Sequence, residues 1–202
     1  MNYKAKADYF NSIAHNWDEF VDDREMLFNT LRRGICSFNI PENSIVVDVG
    51  CGTGNLTLIL LQHLSNDGKI LAVDISEKMI DLAKNKIYDK RVNWFVSPIE
   101  KVDIEENSCD YVICYSVWPH IDDTERAILN IKRILKRGGR FIIWHTHGRE
   151  RINEIHRNID SVVNKDILLP AKEISHQIKR YGFEIISLED DNEHFLIIAE
   201  KR

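Results

Sequence analysis

Between Val46 and Thr57 the chain reads VVDVGCGTGNLT, and these residue types at this spacing suit one kind of chemistry. Gly50, Gly52 and Gly54 recur at every second position behind a β-branched run that only Asp48 interrupts. Glycine carries no Cβ, so backbone N–H groups in such a loop can approach a ligand that any side chain would hold off. A second apolar run, LAVDIS, ends in Asp74, about 20 residues beyond the last glycine. An acid at that place in a doubly wound fold is the usual partner of ribose hydroxyls. Together the two features point to a nucleoside-bearing cofactor.

Histidines are the other residues with chemical reach. His120 follows in Trp118-Pro119-His120, His145 and His147 stand two apart, and His156 lies further on. On extended backbone, residues two apart face the same side. A histidine at the crevice could take a proton from a hydroxyl, amine or thiol. Three of them, His120, His145 and His147, could instead hold a metal. They could also simply flank turns and bond to backbone, and the residues leave these roles open. Trp17 and Trp118 have polar neighbours and are candidate pocket walls, whereas Trp144 reads as core packing. Arg149, Glu150, Arg151 and Glu154 mix signs at helical spacing, which describes a solvated face.

The glycine spacing narrows the cofactor. A dinucleotide fingerprint, G-x-G-x-x-G, would need glycine where Asn55 stands, and no G-x-x-x-x-G-K-[ST] occurs. Asp-x-Gly-x-Gly-x-Gly resembles the first motif of class I S-adenosylmethionine-dependent methyltransferases. YFNSIAHNWDEF (Tyr9 to Phe20) resembles the N-terminal lid segment of the branch containing the ubiquinone- and menaquinone-biosynthesis methyltransferases. SCDYVICYSVWPHIDD and ILKRGGRFIIWHTH resemble that branch's fourth and fifth strands, so the likeness covers nearly the whole chain. It implies S-adenosylmethionine as cofactor and in-line methyl transfer to a small-molecule acceptor. It also implies Asp48, Gly50 and Gly52 around the methionine end, Gly54 among the cofactor-binding residues, and Asp74 on the ribose. Ile75 and Met79 would lie on the adenine, and Tyr115 and Ser116 beside the amino acid moiety.

One departure stands out: the branch's Gly-Asp pair after strand three is Ser97-Pro98 here. Proline offers neither N–H nor carboxylate, so the backbone N–H of Ile99, or Glu100, would have to meet the adenine. A substrate pocket between the ends of strands four and five would bring in His120 and His145 as acid–base candidates. Two rival readings are a non-catalytic cofactor- or metal-binding protein on the same fold and a nicotinamide oxidoreductase. The glycine spacing disfavours the second.

The elements that must position these residues alternate strand and helix, the pattern of an α/β, doubly wound, mostly parallel sheet. At 202 residues the chain is expected to form a single domain, with a helical lid region over 1–40 and an α/β core over 44–202. Helices are expected at Ala5–Phe20, Asp22–Phe38, Gly54–Leu64, from Ser76, at Asp123–Lys136, Arg149–Asn158 and from Pro170. Strands are expected at Ser44–Val49, Lys69–Asp74, Val92–Val96, Asp110–Tyr115 and Arg140–Trp144. A C-terminal antiparallel hairpin, Phe183–Leu188 with His194–Ala199, makes seven. Lys136-Arg137-Gly138-Gly139 reads as a helix end, cations before glycine.

A net charge of −5 disfavours nucleic acid as a partner. No run of about 18 apolar residues exists to span a membrane, and MNYKAKADYF lacks the features of a secretory signal. Four cysteines form no C-x-x-C pair. The cytoplasm is therefore the expected compartment, and the sequence does not set the oligomeric state.

Overall fold

Short β-branched runs alternate with amphipathic helices, and the computed structural model, which describes residues 3–202, packs them as one twisted sheet between helices. The chain opens with α1 (Tyr3–Ile13), a 3₁₀ segment (Ala14–Phe20) and α2 (Arg24–Ser37). There follow β1 (Ile45–Val49), α3 (Asn55–His63), β2 (Lys69–Asp74), α4 (Glu77–Lys86), β3 (Val92–Val96) and β4 (Cys109–Tyr115). A 3₁₀ turn (Trp118–His120) leads to α5 (Thr124–Ile134), β5 (Leu135–His145), α6 (Arg149–Arg157), α7 (Ala171–Arg180), β6 (Phe183–Asp190) and β7 (Phe195–Lys201).

The seven strands lie in the order β3-β2-β1-β4-β5-β7-β6. Pairing from β3 through β5 is parallel, and β7 runs antiparallel to both β5 and β6. The fold is therefore the expected Rossmann-like sheet with a C-terminal antiparallel hairpin. Strand order reverses between β1 and β4, and ligands in such sheets bind outside the carboxyl ends of the strands at that point. One face buries Val112, Cys114, Phe141 and Ile143 under α5 and α7. The other buries Ile113, Ile142 and Trp144 under α2 and α3. Among the described residues, no helix is long and apolar enough to cross a membrane.

Local signals account for most boundaries. Ser76 caps α4, its hydroxyl accepting from the Met79 N–H at 3.1 Å, and Asp123 caps α5 in the same way through Arg126. Two expectations need correction. The helix over Ala5–Phe20 breaks at Ile13 and tightens into 3₁₀ geometry. The helix expected to reach Lys136 ends at Ile134, and Leu135 to Gly139 open β5 instead. Leu135 is fully buried and pairs with Cys109, ahead of a register irregularity at Asp110. Gly138 has φ +77°, and a Cβ on Gly139 would lie 2.8 Å from the Lys136 carbonyl oxygen and 3.1 Å from that of Asp110. These glycines serve a kinked strand entry, not a helix cap.

Candidate active site

The glycine loop is stitched onto the end of β2. The N–H groups of Gly50 and Cys51 donate to the Val73 carbonyl at 2.8 and 3.1 Å. The N–H of Gly52 donates to Asp74 Oδ2 at 2.8 Å, and that of Ser76 donates to Oδ1 at 2.8 Å. Asp74 is thus fixed by backbone from both sides, with acceptor capacity left on each oxygen for ligand hydroxyls. The three glycines do different work. A Cβ on Gly50 would overlap Val117, and one on Gly54 would come within 2.8 Å of Ile87 and 3.3 Å of Ala83. Around Gly52 the nearest atom is Trp17 Nε1 at 3.5 Å, so this position alone opens onto free space.

That space is a cavity walled by Asp48, Gly50, Gly52, Asp74, Ile75, Met79, Ile99 and Tyr115, with Ser97, Pro98, Glu100 and Ser116 beside them. Gly54, expected at the ligand, lies outside this wall; its bare Cα lets α3 start close against Ala83 of α4 and Ile87. Trp118, expected in the wall, is buried in the core with its ring 5.5 Å from that of Phe141. Asp48 is buried, accepts from the Thr57 hydroxyl at 2.6 Å, and is pushed up to about 7 by burial. Burial also raises Asp74. The Glu100 carboxyl, raised by burial, is held by its own N–H and that of Asp123. A site with two buried acids favours a cationic ligand, whose charge offsets their lost hydration.

The N-terminal segment closes over this cavity. Tyr3, Lys6 and Phe10 of α1 and Trp17 of the 3₁₀ segment all face it. Three polar latches hold the segment down. Asn11 Oδ1 accepts from the Ser76 hydroxyl at 2.7 Å and the Lys78 N–H at 3.1 Å. Asp18 accepts from the Thr53 hydroxyl at 2.5 Å and pairs with Lys86. Burial works against the Asp18 carboxylate, but Lys86 and Thr53 hold it below its usual range. Lys6 forms the third latch, described below. No residue of 3–20 belongs to either core cluster. Removing residues 1–20 is expected to weaken cofactor binding tenfold or more, about 1.4 kcal/mol, by calorimetry, while the thermal transition stays cooperative. A deletion that fails to fold would assign the segment to the core.

The histidines divide. His120 borders the cavity, and its Nδ1 lies 2.7 Å from Asp166 Oδ2. The ring of His156 sits 4.8 Å from that of His120, its Nδ1 bonded to the Asp166 carbonyl at 2.7 Å. His145, expected beside His120 in the pocket wall, is not there. It follows Phe141 and Ile143 on the same face of β5, is 3% exposed, and meets the Phe195 ring edge-on at 5.7 Å. Burial lowers it to about 3 and its Nε2 has no partner, so it is a neutral core side chain. His147 is exposed. Among the described residues, no group of three His, Cys, Asp or Glu side chains is disposed to hold a metal, so His120, His145 and His147 do not form such a set.

Asp166 and Lys6 were missed by the sequence reading. Lys6 Nζ lies 2.7 Å from Asp122 Oδ1 and 2.9 Å from Asp166 Oδ1, and donates to the His120 carbonyl at 3.0 Å. Their separations from His120, 114 and 46 residues, leave no local signal.

Comparison with known proteins agrees with this geometry. A family model described as a methyltransferase domain matches residues 47–143. A malonyl-[acyl-carrier protein] O-methyltransferase of Priestia megaterium is 28% identical over 156 residues, covering 77% of this chain and 56% of that protein. A tRNA N(3)-methylcytidine methyltransferase of Schizosaccharomyces pombe is 29% identical over 184 residues, covering 81% and 59%. The chain thus spans little more than half the length of these relatives. The fold matches a solved Thermotoga maritima protein, described as a possible histamine N-methyltransferase, with TM-score 0.75 and 20% identity over 97% of this chain and 99% of that one. A methyltransferase domain is thus matched over residues 47–143, and the chain is similar to S-adenosylmethionine-dependent methyltransferases, demethylmenaquinone and ubiquinone/menaquinone-biosynthesis methyltransferases among them.

Proposed function

We propose that this chain methylates a small molecule, with His120 accepting the proton that the acceptor loses. The observation that carries this reading is one cavity whose lining joins the Gly52 opening, two buried acids and His120. The residues present suit S-adenosylmethionine. Asp74 would hold the ribose, the apolar side chains of Ile75, Met79 and Ile99 would pack on the adenine, and Asp48 would face the cationic end. When bound, this cofactor supplies an electrophilic methyl group on a sulfonium whose departure leaves a neutral thioether. The protein then has to exclude water, align the acceptor and remove one proton, and alignment alone is worth about 7–11 kcal/mol. His120 Nε2 is the atom that takes the proton, because Asp166 already engages Nδ1.

Charge narrows the acceptor. Among the described residues that line the cavity, Asp48, Asp74, Glu100 and Asp122 are acids and Lys6 is the one lysine or arginine, itself engaged by Asp122 and Asp166. Such a wall supports a neutral or cationic acceptor over an anionic one, and over a nucleic acid, whose phosphates need basic surface. The test is a screen of small neutral and cationic nucleophiles with methyl-labelled S-adenosylmethionine. Transfer to one of them supports the proposal. Cofactor binding without turnover on any of them, or turnover on an anionic acceptor or on RNA alone, would sink it.

Asp48 makes a second expectation testable without an acceptor. Its folded-state value, about 7, lies above the ordinary 3.8, so the folded protein holds a proton that the unfolded chain releases. The resulting stabilisation is full below about pH 4 and is lost as pH rises through 7. The ligand-free melting temperature of wild type should therefore fall relative to that of Asp48→Asn between pH 4 and pH 8. Parallel pH profiles of the two proteins would show that Asp48 titrates normally.

A further inference from the structure

His120 is embedded in a cluster drawn from four distant parts of the chain, and that cluster has a directional logic. Asp166, in the loop between α6 and α7, places Oδ2 2.7 Å from His120 Nδ1, and Lys6 of the lid helix places its ammonium 2.9 Å from Oδ1 of the same carboxylate. Each carboxylate oxygen thus has its own donor. An ionised carboxylate only accepts hydrogen bonds, so the imidazole proton sits on Nδ1 and Nε2 keeps its lone pair. The Lys6 ammonium holds Oδ1 of this carboxylate, which keeps Oδ2 turned to the ring.

We infer that Asp166 and Lys6 are positioning residues for His120: the carboxylate sets the tautomer, and the lid-borne ammonium anchors that carboxylate by its other oxygen, so that the proton acceptor is complete only when α1 is seated. This rests on the role proposed for His120 above. Lys6 is 8% exposed, bonds also to the His120 carbonyl at 3.0 Å, and reaches the cluster only from α1. The other groups facing the ring are Phe10 edge-on at 5.3 Å, His156 at 4.8 Å and, through Lys6, Asp122. Asp74 and His145 interact with it electrostatically from further off. Hydrogen bonds from His120 and Lys6 hold the Asp166 carboxyl low against the opposing effect of its burial, which keeps it ionised for this task.

The test reads the ring directly, by ¹⁵N NMR of histidine-labelled, ligand-free full chain at a pH where imidazoles are neutral. Wild type is expected to carry the His120 proton on Nδ1. In Asp166→Asn, Lys6 can only donate and so takes the amide oxygen, which turns the amide NH₂ toward Nδ1 and drives the ring proton to Nε2. Asp166→Ala should relax the ring toward a mixture of tautomers, and serves if the asparagine variant is poorly folded. Lys6→Met should free the carboxylate and loosen the tautomer preference toward a mixture, with Lys6→Arg close to wild type. A His120 proton that stays on Nδ1 in both Asp166 variants, or a tautomer distribution unmoved in Lys6→Met, overturns the inference, since a purely structural pair would change only the melting temperature. If the NMR results hold but His120→Gln keeps full turnover, the proton-acceptor role fails while the tautomer control stands.

Discussion

A folded Gly52→Val variant is expected to lose S-adenosylmethionine and S-adenosylhomocysteine binding by at least 10²-fold, about 2.7 kcal/mol. The argument rests on space. Gly52 is the one glycine of the loop whose missing Cβ opens onto the cavity, and its N–H is tied to Asp74, so the backbone cannot step aside without releasing that acid. Valine would place two methyl groups where the ligand must lie. Its φ of +53° adds strain of about 1–2 kcal/mol for a β-branched residue, so the melting temperature should drop modestly. Titration calorimetry beside a thermal melt separates the two effects. Wild-type affinity in a folded variant would show that the cofactor lies elsewhere.

The second large effect concerns turnover. His120→Ala should lower it by roughly 10²–10⁴-fold where proton removal limits the rate, with cofactor affinity nearly unchanged. In the proposed arrangement Asp74 and the glycine loop hold the cofactor and His120 serves the acceptor, and the bonds that fix Asp74 come from the Gly52 and Ser76 N–H groups, not from His120. An acceptor that loses its proton only after methyl transfer would instead leave the variant fully active, and that result would remove His120 from the chemistry. The measurement is single-turnover kinetics with an acceptor from the screen, alongside calorimetry on the same preparation.

What the sequence made legible was local. The run from β1 through the glycine turn to Asp74 could be read because each step depends on near neighbours: a buried strand, positive-φ glycines and an acid at the next strand end. Ser76 announced its own cap for the same reason. His145 could not be placed this way. Its face follows from counting along β5, but its burial depends on Phe195, fifty residues on and brought alongside only by the antiparallel strand. The cations and glycines at 136–139 matched a helix end by composition, and only the fully buried Leu135 beside Cys109 shows why strand geometry wins. Asp166 was invisible because nothing near it in sequence hints at His120. Gly54 fitted its motif, yet its reason for being glycine is helix packing.

The strand order also dictates a sequence of events during biosynthesis. Each of the strands β1 to β4 has all its sheet neighbours made by the end of β5. β6 is different, because it pairs only with β7, and β7 alone covers the outer edge of β5. When β6 emerges from the ribosome its seat in the sheet does not yet exist. Until Phe195 to Lys201 arrive, β5 carries an open row of N–H and C=O groups beside apolar Phe141 and Ile143, a surface prone to pairing with other chains. The last strand is thus a clasp: the growing chain holds its half-built sheet open until this one segment threads between two neighbours and closes both edges at once.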